Sequence, residues 1–60
     1  MKLEEERRSY ALRMLNSYIC EVNKVDKRTD YKAEARFYLA DNEFDYKRAV
    51  EAYDRDYLFE

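Results

Sequence analysis

A sixty-residue chain makes one domain at most and, at this length, buries only about 60% of the surface it exposes when unfolded. Charged residues fill 43% of it, yet acids and bases are interspersed and the net charge is −2, so there is no basic footprint for phosphate backbones and nucleic acid is not an expected partner. Cys20 is the lone cysteine and histidine is absent, which excludes a disulfide and a zinc site, and no cofactor is implied.

Hydrophobic residues make up 47% and aromatics 17%, enough for a core, while glycine and proline are both missing. Without those turn-formers, tight hairpins are disfavoured and helices joined by short polar links are expected, which is an all-α class. The longest apolar runs, such as Tyr18-Ile19-Cys20 and Tyr57-Leu58-Phe59, fall far short of a membrane span of about 20 residues. The charged run Glu4 to Arg8 stands where a secretory signal would turn apolar. With a lone thiol, this points to an intracellular protein of the nucleus or cytoplasm.

A first helix is expected over about 4–24. Ala11, Leu12, Leu15, Ile19 and Val22 recur at spacings of three and four on one face. Glu4 to Glu6 sit at the positive helix end, and Glu4 can pair with Arg8 one turn on. Cys20 flanks the stripe as a small apolar filler, with no base nearby to activate it. Lys24 to Arg28 have no periodicity and form a loop.

Thr29 or Asp30 can cap a second helix over about 30–41, with Tyr31, Ala35, Tyr38 and Leu39 inward and Phe37 on the flank. It should end near Asp41 or Asn42, where asparagine can take the left-handed conformation that glycine would otherwise supply. Asp45 then caps a third helix to about residue 59, with Tyr46, Ala49, Val50, Tyr53 and Tyr57 inward and Phe44 folded back as a hydrophobic staple. Short links make consecutive helices neighbours, so the expected fold is a compact three-helix bundle.

The run Ala35-Arg36-Phe37-Tyr38-Leu39-Ala40-Asp41-Asn42-Glu43-Phe44-Asp45-Tyr46-Lys47-Arg48-Ala49-Val50-Glu51-Ala52-Tyr53 resembles the ubiquitin-associated-like (UBA-like) superfamily. Members share a leucine ending helix two, an asparagine-containing corner, an aromatic, an aspartate cap and an Ala-Val pair in helix three. The nearest similarity is to N-terminal modules of 5′ tyrosyl-DNA phosphodiesterases, which implies a DNA-repair setting and a fragment of a larger protein. Modules of messenger-RNA export receptors are similar too.

The resemblance implies a ubiquitin-binding module using the loop after helix one and the C-terminal part of helix three. By position these are Asn23, Lys24 and Val25, with Glu51, Asp54 and Leu58. The chain departs from the pattern where many members carry an apolar-glycine loop element, and it has Asp54 where they often have an apolar residue. Leu58, one turn further on the same face, is placed to replace that contact.

Catalysis is not expected. The close carboxylates, Glu4-Glu5-Glu6 and Asp54-Arg55-Asp56, read as solvated helix surface, and so small a chain has little volume for a pocket. The basic pair Lys47 and Arg48 is outweighed as a DNA contact by Asp45, Glu51, Asp54, Asp56 and Glu60. The seven tyrosines include potential phosphorylation sites, but Tyr31, Tyr38, Tyr46 and Tyr53 read as rim residues with buried rings and wet hydroxyls. Tyr57, Leu58 and Phe59 cannot all face inward from one turn, so part of that group should be exposed or bound. Besides ubiquitin, the chain could serve as a scaffold for another peptide or protein, or as a homo-oligomer paired through its long first helix.

Overall fold

The computed structural model describes residues 2–57, and side chains from Leu3 onward. Three helices follow in order, α1 (Lys2–Val22), α2 (Lys32–Asp41) and α3 (Tyr46–Tyr57), each touching the other two. This is the expected all-α three-helix bundle. At a rise of about 1.5 Å per residue, α1 alone accounts for most of the 37 Å long dimension. No described helix is long and apolar enough to cross a membrane.

Ala11, Leu15, Ile19, Ala35, Tyr38, Leu39, Ala49 and Tyr53 form the core, and Leu12, Tyr18, Val22, Tyr31, Phe44, Tyr46 and Val50 pack around it. Ala35 and Ala49 are fully buried, small enough to let backbones approach closely. The expected stripes are thus largely inward. One member departs from this: Tyr57, expected on the inner face of α3, is 53% exposed, while Phe37, expected on the flank of α2, is exposed as well. Tyr57 closes the described part of α3, its ring stacked on Tyr53 at 4.4 Å between centroids.

The ends of the helices differ from the expected boundaries for local reasons. α1 stops at Val22, not Lys24, because Lys24 turns left-handed at φ 57°. The Lys24 N–H then bonds the Glu21 carbonyl at 3.1 Å and the Val25 N–H the Cys20 carbonyl at 3.0 Å, the Schellman pattern that satisfies carbonyls left open at a helix end. α2 starts two residues later than expected, with Tyr31 rather than Thr29 or Asp30 at the N-cap position and no side-chain cap. Asp30 still serves the first turn, since its Oδ1 accepts the Lys32 N–H at 2.9 Å.

The corner after α2 also differs from expectation. Asn42 sits at φ −126° and is not left-handed; Glu43 and Phe44 are, at 60° and 53°. Asn42 closes the helix through its side chain, donating from Nδ2 to the Tyr38 carbonyl at 2.7 Å. The Phe44 N–H reaches back to the Leu39 carbonyl at 2.7 Å. Phe44 is held further by α1, because Arg7 donates to its carbonyl at 3.4 Å and the Arg8 guanidinium lies 5.0 Å from its ring centroid. Asp45 caps α3 as expected, its Oδ1 accepting the Arg48 N–H at 3.3 Å.

Candidate functional site

The loop after α1 is ordered by three side chains. Asp26 accepts the Arg28 backbone N–H at 2.7 Å and pairs with its guanidinium at 3.2 Å, and the Arg28 contacts hold the Asp26 carboxyl below its usual range. Behind it, the buried Asn16 ties the loop to α1. Its Oδ1 accepts the Tyr31 N–H at 2.6 Å, and its Nδ2 donates to the Thr29 carbonyl at 3.3 Å. The Cys20 thiol donates to that same carbonyl at 3.4 Å, so the expected filler also has a polar role.

Asn23 joins loop to α3. Its Nδ2 donates to the Ile19 carbonyl at 2.8 Å and to the Tyr53 hydroxyl at 2.9 Å. This bond ties the loop after α1 to α3 through the buried Tyr53. Lys24 and Val25 follow it directly and are exposed, Val25 at 40%. On α3, Glu51 is exposed, while Asp54 is half-buried and accepts the Tyr18 hydroxyl at 2.5 Å. Leu58 lies outside the described residues.

Two of the expected contact residues are thus engaged within the fold: the Asn23 amide and the Asp54 carboxylate. This corrects the picture of Asp54 and Asp56 as merely solvated surface. Asp56 accepts the Tyr38 hydroxyl at 2.7 Å, and Glu34 on α2 accepts the Tyr57 hydroxyl at 2.8 Å. Carboxylates lining one end of the bundle serve as acceptors for tyrosines that arrive from neighbouring helices. The charged bonds are stronger than neutral ones.

The wet-hydroxyl expectation fails at Tyr38, whose hydroxyl donates to Asp56, and at Tyr53, whose hydroxyl accepts from the Asn23 amide. Tyr53 is 1% exposed, with Tyr38 edge-on at 5.4 Å and Tyr18 edge-on at 6.2 Å. Hydrogen bonding to Asp54 pushes the Tyr18 hydroxyl up to about 12, with desolvation adding to it. Burial, reinforced by Asp56, carries Tyr38 higher still. Burial raises Tyr53, partly offset by the Asn23 donor, and also raises Tyr46. Tyr57 is raised chiefly by its bond to Glu34.

The part of this network that sequence reasoning missed has a partial signal. Asn16 falls midway between Leu12 and Cys20 at four-residue spacing, so a polar group on that inner line needs a buried partner. Nothing in the spacing says that the partner is the backbone of residues 29–31. Comparison with known protein families, with curated proteins and with solved structures finds no match.

Proposed function

We propose that this chain is a UBA-like module that binds ubiquitin through the loop after α1 and the exposed side of α3. The observation that carries the reading is the Asn23–Tyr53 hydrogen bond, which holds Lys24 and the partly exposed Val25 beside α3. The Schellman turn at Lys24 presents Val25 without the glycine usual in such loops. Lys24, Val25 and Glu51 are the side chains offered to the partner; Asn23 and Asp54 shape the platform. Leu58 extends it by sequence position.

So small a surface lies well below the roughly 1,600 Å² of a standard interface, which predicts micromolar or weaker affinity and a gain from avidity in a larger assembly. Titrating isotopically labelled chain with ubiquitin should shift the amides of Lys24, Val25 and Glu51, and Leu58→Ala should weaken binding. Unmoved amides at high-micromolar ubiquitin would reject the reading. The second reading, a scaffold for a different protein, draws on the acidic end of α3, where Glu51 is exposed near Asp54 and Asp56. A basic peptide that shifts the same amides while ubiquitin does not would favour it.

A further inference from the structure

An exposed side of α1 has a pattern of its own. Leu3, Arg7, Tyr10 and Met14 recur at spacings of four, three and four, the heptad rhythm of a helix-pairing seam. This line runs beside the packed side, about a third of a turn round the helix from the stripe by which Tyr18 reaches α3, Arg8 reaches Phe44 and Asn16 reaches the loop before α2. Leu3 is 81% exposed and Tyr10 59%. Every described residue from Leu3 to Tyr10 is exposed and Met14 is half-exposed; of the four, Arg7 also touches the corner before α3 through its tip, on the Phe44 carbonyl, which leaves its stem free.

We infer that this seam is a self-association surface on which two copies of the chain pair α1 antiparallel about a twofold axis. Charge complementarity selects the partner and the direction. Antiparallel pairing sets Leu3 against Met14 of the second copy and the aliphatic stem of Arg7 against its Tyr10, and the symmetry repeats both contacts. The positions flanking this seam on one side are Glu6 and Arg13, both exposed. In antiparallel helix pairs a flanking position meets its own kind on the partner, so Glu6 of each copy faces Arg13 of the other, giving two opposite-charge pairs. Parallel pairing would set Glu6 against Ala11 and leave both charges unmatched, while the other flank, Glu4 and Ala11, offers no opposite-charge pair in either direction, so the Glu6–Arg13 match alone sets the direction.

Four seam residues per copy cover far less than the roughly 800 Å² per partner of a stable complex, so the dimer is weak and forms in the high-micromolar range. The surface is separate from the loop and α3 platform, so dimerisation leaves that platform open on both copies.

Sedimentation equilibrium of the whole chain from about 20 µM to about 1 mM spans that range. The weight-average mass should climb from monomer towards dimer. Tyr10→Glu, at an exposed position that leaves the fold intact, should lower the association constant by tenfold or more. Glu6→Arg and Arg13→Glu should each abolish pairing alone, because like charges then face each other twice. An equimolar mixture of those two variants should pair again, since every facing charge is once more opposite. A wild-type chain still monomeric at about 1 mM would overturn the inference and leave the seam to a different protein. A dimer that survives Tyr10→Glu, or a mixture that stays monomeric, would overturn it as well.

Discussion

Asn16 shows how much one side chain can decide in a bundle this small. It is 9% exposed and satisfies an N–H and a carbonyl of the loop backbone, acting as a stand-in for a strand that the fold lacks. Truncation leaves the Tyr31 N–H to find water at a partly buried place and the Thr29 carbonyl with the weaker Cys20 thiol donor. Since an unsatisfied buried group costs about 1–3 kcal/mol, Asn16→Ala should lose roughly 2 kcal/mol. Urea unfolding followed by circular dichroism measures this; a loss under about 0.5 kcal/mol would mean that water replaces the amide without penalty. The residue's position facing inward is legible from its spacing with Leu12 and Cys20. Its partners are not, because they lie across a loop whose path no periodicity specifies.

At the scale of the element, the helices follow from hydrophobic spacing, while their ends follow from backbone strain that the composition forces on the chain. With no glycine available, Lys24, Glu43 and Phe44 take left-handed conformations that disfavour a Cβ by about 1–2 kcal/mol each. The strain is offset by what surrounds it. At Phe44 these are the bond to Leu39, the Arg7 contact and the ring packed on the core. Lys24 and Glu43 are exposed, so their side chains contribute little to set against the strain. Lys24→Gly and Glu43→Gly should therefore each stabilise the chain by about 0.5–1 kcal/mol, against the usual direction for glycine in a helical protein. Thermal unfolding reads the sign directly, and a lowered midpoint in both variants would show that unfolded-state entropy outweighs the relief of strain. Asp45 as cap was readable because an N-cap needs only its own side chain and the three residues after it. Intrinsic tolerance points to Asn42 for the left-handed corner; the structure has it at Glu43 and Phe44, which brings the Phe44 N–H to the Leu39 carbonyl.

Across the whole molecule, stability converges on the tyrosines. Tyr53 gathers the rings of Tyr18, Tyr38 and Tyr57, and the hydroxyls of Tyr18, Tyr38 and Tyr57 each end on a carboxylate of another helix. Tyr18 is neutral in the fold up to about pH 12, against an ordinary value of 10.0. A raised folded-state value means that its contribution is complete below about pH 10 and is lost as the pH climbs towards about 12. The melting temperature should fall across that window, and Tyr18→Phe should flatten the fall while lowering stability at neutral pH. An unchanged alkaline slope in the variant would remove Tyr18 from the account.

Amino-acid order alone determined that there are three helices, which residues line their inner faces and where α3 is capped, because each depends on neighbours within a few positions along the chain. Tertiary structure alone decided that Asn23 clamps Tyr53, that Asp54 and Asp56 receive tyrosine hydroxyls, and that Asn16 holds the loop. Those partners are separated by 15 to 36 residues, and only packing the helices brings them within hydrogen-bond reach.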